Sequence, residues 1–312
     1  MKPFAFVFPG QGSQSVGMLD AWGDHPALRL TLGEAAEALH EDLGQLIHAG
    51  PKEALELTTN TQPVMLTAAI ACYRAWRAEG GAEPTAVAGH SLGEYSALVA
   101  AGALTLADAL PLVRFRAQAM QQAVPVGAGA MAAILGLDAA QVCEVCATVA
   151  AQTGEVVAPA NFNDPKQTVI AGSKAGVDAA CDALKAAGAK RALLLAVSAP
   201  FHSSLMKPAA DALREYLASV RIAAPRVPVV NNIDVAVQTE PDAIREALYR
   251  QAFGPVRWVE VTQVLKARGM NHILECGPGK VLAGLVKRVD AEIQSITVLD
   301  PASLQQAKEM LA

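Results

Sequence analysis

Apolar residues run unbroken from Phe4 to Phe8, and Pro9-Gly10-Gln11-Gly12-Ser13-Gln14 ends the run at once. Such a run predicts a strand buried on both faces, and the Gly/Pro loop after it predicts backbone able to approach a ligand closely. Helical spacing of apolar positions predicts helices over residues 26–39, 52–57 and 63–79, with Pro63 near the start of the last and Gly80-Gly81 at its end. A short apolar run, Thr85-Ala86-Val87-Ala88, precedes a second helical pattern. A third, 105–124, opens on a capping box of Thr105 and Asp108; Pro111 inside it predicts a kink or a later start.

From Gly127 the pattern changes. Residues 130–137 read as a strand, 138–151 as a helix, 155–162 and 167–171 as strands, 174–187 as a helix and 191–197 as a strand. That order, βαββαβ, is the split βαβ arrangement of a ferredoxin-like unit, whose two ends can lie close together. After it come a helix over 208–220, a short strand over 227–230, helices over 244–253 and 256–268, and a strand over 272–276. Alternating strands and helices in the outer parts predict a mostly parallel sheet. The expected fold is α/β, with an α/β-hydrolase-like catalytic domain of residues 1–126 and 198–312 and an inserted ferredoxin-like subdomain of residues 127–197.

Composition agrees with a helix-covered sheet: 312 residues, 52% hydrophobic, few aromatics. A net charge of −5 argues against a nucleic-acid binder. The five cysteines have no framework spacing, and the pair Cys143 and Cys146 lies inside a helical pattern, so reduced thiols in a cytoplasmic protein are expected, with no metal. The apolar start is too short for a signal peptide, and no apolar run is long enough to cross a bilayer.

The candidate chemistry begins at Gly89-His90-Ser91-Leu92-Gly93, a GxSxG pattern between a strand and a helix. In that setting Ser91 is a nucleophile candidate on a sharp elbow, with the helix N-terminus close by for an oxyanion. A serine needs a base. His25, His40 and His48 sit in a polar helical region and read as surface residues, His90 as a support for the elbow, and His272 as a packing residue on a strand. His202, in a rigidly flanked loop, is the better candidate. No acid stands clearly in the third position of a triad, but a backbone carbonyl could orient the imidazole instead. Arg116 falls on the apolar face of its helix and Arg114 points the other way, so Arg116 needs an anionic partner from protein or substrate.

Eight ordered motifs then make the chain resemble the malonyl-CoA:acyl carrier protein transacylases of fatty acid synthesis, relatives of polyketide synthase acyltransferase domains. They are FVFPGQGSQ at 6–14, GHSLGEYSAL at 89–98, Arg116 with Met120, NFN at 161–163, His202, VVNN at 229–232, and Gln251 with PVRW at 255–258 and GPGK at 277–280. The resemblance implies that Ser91 is the nucleophile, His202 its base and later acid, the Gln251 main-chain carbonyl the group that orients His202, and the Gln11 and Leu92 NH groups the oxyanion hole. It also implies a substrate-binding set of Arg116, Met120, His90, Asn161, Phe201 and Asn232, with Arg116 pairing the malonyl carboxylate. An acetyl group would then leave a buried guanidinium unpaired, at a cost of about 2 to 5 kcal/mol. Phe201 matches the aromatic of malonyl-selective domains and is expected to reject an α-methyl branch.

The substrates implied are malonyl-CoA and a phosphopantetheinylated acyl carrier protein, with no cofactor, no nucleic acid and no membrane, and with the chain acting as a monomer. For docking the acidic carrier, or CoA, the expected cations are Lys190, Arg191, Lys280, Lys287 and Arg288. A thioesterase with the same elbow is the rival enzyme, and a non-catalytic carrier-binding module the rival of another class.

Overall fold

The computed structural model describes residues 2–312. Among these described residues nine strands form two sheets: β1 (Phe4–Phe8), β2 (Ala86–Gly89), β3 (Gly129–Leu135), β4 (Val157–Asp164), β5 (Gln167–Ser173), β6 (Arg191–Leu194), β7 (Val229–Val230), β8 (His272–Cys276) and β9 (Thr297–Val298). The larger sheet has the order β7-β2-β1-β8-β9, and every neighbouring pair in it is parallel.

β1 lies at the centre of that sheet and buries both faces, which accounts for its unbroken apolar sequence. Phe4, Phe6 and Phe8 point one way, into a core shared with the long helix Thr58–Ala78, where Phe6 packs edge-on against Trp76 with ring centroids 5.3 Å apart. Ala5 and Val7 point the other way, against Trp258, Val261 and Leu285. The period-two alternation of a strand thus divides one pentapeptide between two cores.

Register sets the site. β1 and β2 pair with Phe8 opposite Gly89, so the loops that leave them, Pro9-Gly10-Gln11 and His90-Ser91-Leu92, start level and side by side. The His90 NH donates to the Phe8 carbonyl at 3.0 Å and continues the ladder into the elbow.

The smaller sheet is antiparallel, in the order β4-β5-β3-β6. The chain enters and leaves it through adjacent segments: a Cβ placed on Gly129 would lie 2.4 Å from the Pro200 ring. β4 is tied to the larger part by paired backbone bonds, Val256 NH to the Ala160 carbonyl at 2.8 Å and Phe162 NH to the Val256 carbonyl at 2.9 Å. An ion pair of Arg288 with Asp164 at 2.7 Å adds to them.

Three expectations need correction. The helix expected over 63–79 begins at Thr58, which puts Pro63 in its interior. Proline has no NH for the Thr59 carbonyl four residues back, and that carbonyl instead accepts from Arg114 Nη1 at 2.8 Å. Helix Leu106–Gln122 runs through Pro111 without the later start. The strand expected over 191–197 ends at Leu194, where the edge strand β6 leaves Leu194 58% exposed. Helices Leu43–Ala49, Val281–Val289 and Pro301–Leu311, and strand β9, add to the expected set.

Candidate active site

The elbow is forced by sterics. Ser91 has φ 51°, in the left-handed region that a serine occupies only when its surroundings hold it there. The flanking glycines are required: a Cβ on Gly89 would lie 1.9 Å from the Gly93 carbonyl carbon, and one on Gly93 would lie 2.0 Å from the Phe8 oxygen. His202 also has positive φ, 61°, in the loop between the two parts of the chain.

Ser91 Oγ lies 2.7 Å from His202 Nε2. His202 Nδ1 lies 2.9 Å from the Gln251 carbonyl oxygen and 3.1 Å from that of Gly254. Carbonyls only accept, so Nδ1 carries the proton and Nε2 is bare, ready to take one from the serine. The Gln251 carbonyl is free for this because it belongs to the last turn of helix Pro241–Phe253, where carbonyls have no intrahelical partner. Burial, and then the charge of Arg116, push the His202 pKa down to about 3, so the ring is neutral. The negative end of the Pro241–Phe253 dipole lies where an imidazolium would form.

Arg116, on helix Leu106–Gln122, is 2% exposed. Its Nη1 donates to Gln62 Oε1 at 2.7 Å, and its Nη2 donates to Gln251 Oε1 at 3.0 Å and to Ser91 Oγ at 3.2 Å. Without a malonyl group the guanidinium therefore has neutral hydrogen-bond partners and no paired anion. Both Nη atoms donate to neutral oxygens, the buried Nε has no partner among the described residues, and no carboxylate is in direct contact.

A cavity of about 430 Å³ opens over these groups. Gln11, Leu92, His90, Met120, Asn161 and Phe201 all line it, together with Ser91, Arg116 and His202. Neither the Gln11 nor the Leu92 backbone NH has a partner among the described residues, whereas the Ser91 NH is taken by Asn232 Oδ1 at 2.7 Å. His90 packs on Trp258 and shares a hydrogen bond of 2.9 Å with Asn163 Oδ1, and burial lowers its pKa.

Asn232, expected at the substrate, is corrected: it is fully buried beneath the elbow and does not line the cavity. Its side chain bridges the Ser91 NH and the Gly89 carbonyl, the latter at 2.7 Å, and so clamps the turn. His25, expected on the surface, caps helix Pro26–Leu39 through Nδ1 and meets Glu79.

The five expected docking cations belong to two elements, Lys280, Lys287 and Arg288 to helix Val281–Val289 and its N-cap, Lys190 and Arg191 to the start of β6. Lys280 adjoins Val281 at the cavity wall, and Lys287 shares its outer groove. Lys190 and Arg191 lie at the start of β6, and Leu195, past its other end, lines the cavity. Arg288 is held by Asp164.

Three groups escaped sequence reasoning: Gln62, Glu94 and the side chain of Gln251. Glu94 is 2% exposed, and burial pushes its pKa up to about 7 even though it accepts from the Asn232 NH at 2.9 Å and from Gln251 Nε2 at 3.1 Å. Its place in the first turn after the elbow was the available signal, since a residue there points back under the turn.

An acyl transferase domain profile matches residues 5–303 of the chain. The malonyl CoA-acyl carrier protein transacylase of Escherichia coli strain K12 is 52% identical over 311 residues, 99% of this chain and 100% of its own. A solved acyl-carrier-protein S-malonyltransferase from Burkholderia pseudomallei is 65% identical, covers 99% of this chain and 100% of its own, and matches the structure with a TM-score of 0.97. A second structure, of a type II PKS acyl-carrier protein in complex with its malonyl-transacylase, is 49% identical over 99% of this chain and 100% of that one, with a TM-score of 0.97.

Proposed function

The chain belongs to the acyl transferase domain family, among its malonyl CoA-acyl carrier protein transacylases, and from that premise we propose a malonyl transfer that passes through Ser91. The enzyme moves a malonyl group from malonyl-CoA to the phosphopantetheine thiol of an acyl carrier protein and so supplies fatty acid synthesis. The observation that carries the route is the 2.7 Å contact of Ser91 Oγ with a His202 Nε2 that must be unprotonated.

His202 Nε2 takes the hydroxyl proton as Ser91 Oγ bonds to the thioester carbon, and the carbonyl electrons move onto oxygen. The Gln11 and Leu92 NH groups donate to that oxyanion. Its collapse breaks the C–S bond, and the departing CoA sulfur takes the proton from His202. The carrier thiol then reverses the sequence: it gives its proton to His202, attacks the malonyl-serine ester, and Ser91 leaves as a hydroxyl. The reaction balances with the two thioester partners alone, so no cofactor enters it.

Arg116 has one Nη1 hydrogen free and one Nη2 hydrogen that rests only on Ser91 Oγ, and together they offer a two-pronged edge to the malonyl carboxylate. Met120, Phe201, His90 and Asn161 line the cavity that would hold the acyl group, and Lys280 and Lys287, which share a neighbouring groove, are the cations offered to the acidic carrier.

The strand order β4-β5-β3-β6 and the βαββαβ sequence support reading 127–197 as a ferredoxin-like insert in a hydrolase-like domain of 1–126 and 198–312. The chain is read as a monomer, and five free thiols support a cytoplasmic location. Among the described residues, no helix is long and apolar enough to cross a membrane.

Intact-mass analysis after mixing with malonyl-CoA tests the route. The native chain gains one malonyl group and the Ser91→Ala chain gains none. Malonyl retained by Ser91→Ala, or free malonate as the main product when carrier is present, overturns it.

A further inference from the structure

We propose that Glu94 is a positioning residue for acyl selection: it holds the Gln251 amide so that the oxygen, and not the NH2, faces Arg116. This rests on the malonyl-transfer reading above. Glu94 Oε2 accepts from Gln251 Nε2 at 3.1 Å, and the same Nε2 donates to the Ser91 carbonyl at 3.0 Å. Both amide hydrogens are thus committed to acceptors, and Oε1 is left to meet Arg116 Nη2 at 3.0 Å. The Asn232 NH, at 2.9 Å from the same carboxylate oxygen, fixes that oxygen in turn.

Without Glu94 the amide has one acceptor for two hydrogens. Turned over, it would aim its NH2 at a guanidinium that can only donate, and Arg116 would keep Gln62 as its remaining side-chain amide partner. The arrangement also keeps a buried carboxylate one residue away from the arginine. In direct contact it would occupy the edge that a malonyl carboxylate needs, whereas an amide oxygen holds the guanidinium and leaves its charge to be met by the acyl group. Gln251 therefore serves two parts of the site, with its backbone carbonyl on His202 and its side chain on Arg116, and Glu94 sets only the second.

The experiment measures acylation of Ser91 by malonyl-CoA and by acetyl-CoA in the full chain and in two variants, with thermal melts for folding. Glu94→Leu is expected to lower malonyl kcat/KM about 10- to 100-fold, mainly through KM, while acetyl uptake stays within about twofold. Glu94→Gln offers a carbonyl oxygen for the same two bonds and is expected to restore the malonyl-to-acetyl ratio to within about threefold of native. Equal losses for both acyl groups in Glu94→Leu would mean that Glu94 only props the elbow, and would overturn the proposal. A Glu94→Gln chain without selectivity would overturn it too, since charge and not orientation would then be the requirement. If Glu94→Leu does not fold, the ratio in Glu94→Gln decides alone. A native chain that takes up no malonyl group fails the transfer reading itself, before any Glu94 variant is compared.

Discussion

Two walls face each other across the acyl cavity, and they are made differently. The wall from the parallel sheet holds Ser91, His202 and Arg116, each fixed by a buried partner, Asn232 under the elbow, Gln251 behind the imidazole and Gln62 beside the guanidinium, together with the unpartnered Gln11 and Leu92 amides. The wall from the antiparallel sheet contributes Met131, Val169, Leu195 and Val197, with Asn161 and Asn163 as its polar members. Parallel strands that end level deliver several loops to one point with their backbone NH groups unspent, and that is where charge can be handled. The second sheet delivers shape. The hydrogen-bonded polar groups are thereby separated from the mostly apolar lining opposite, with Phe201 packed on both sides.

The sharpest way to break this division is His202→Ala, which is expected to lower acyl transfer about 10⁴-fold for malonyl and acetyl alike. A loss confined to malonyl would place His202 on the selecting side. Arg116→Ala should do the reverse, lowering malonyl uptake about a hundredfold to a thousandfold while leaving acetyl uptake within a few-fold. Competition between the two CoA thioesters reads this directly.

The pH profile sharpens the comparison further. Protonation disables His202 as a base, and its pKa is pushed from 6.5 down to about 3, so acyl uptake by the free enzyme is expected to stay level as pH falls from 8 to 5. At pH 5 an ordinary imidazole would leave about a thirtieth of the activity. An acid limb centred near 6.5 would show that the ring is not shielded. The sign for stability follows from the same depression: the unfolded chain protonates below 6.5 and the folded chain only near 3, so this group's contribution is lost as pH falls between them.

Smaller effects belong to the shape-giving side. Phe201→Ser is expected to raise methylmalonyl relative to malonyl transfer about tenfold, and an unchanged ratio would remove Phe201 from selection. Asn163→Ala, which frees His90 without touching the serine or the base, should cost only about two- to fivefold in kcat/KM.

Local rules carried much of this into the sequence. The β1 pentapeptide, the glycines around Ser91 and the βαββαβ order are read from patterns a few residues long, because sterics and side-chain period act over that range. Arg116 was legible as an inward arginine from helical spacing alone, but its partners were not. Gln62 lies 54 positions away and Gln251 lies 135. Neither amide has a sequence signature that separates it from any other glutamine. The resemblance pointed to the backbone carbonyl of Gln251, and its side chain escaped because a role divided among Glu94, Ser91 and Arg116 exists only once three elements have met.

The sequence by itself determined most of the elements, the turn that carries Ser91, the inward arginine and the family, since these depend on neighbours in the chain or on motifs in order. Tertiary structure alone decided that Asn232 clamps the elbow and leaves the cavity wall, that Arg116 is held by neutral oxygens with no carboxylate in contact, and that helix-end carbonyls and no acid face His202 Nδ1. Those outcomes depend on which buried polar groups come within about 3 Å of one another, and that distance is set by how sheets and helices pack.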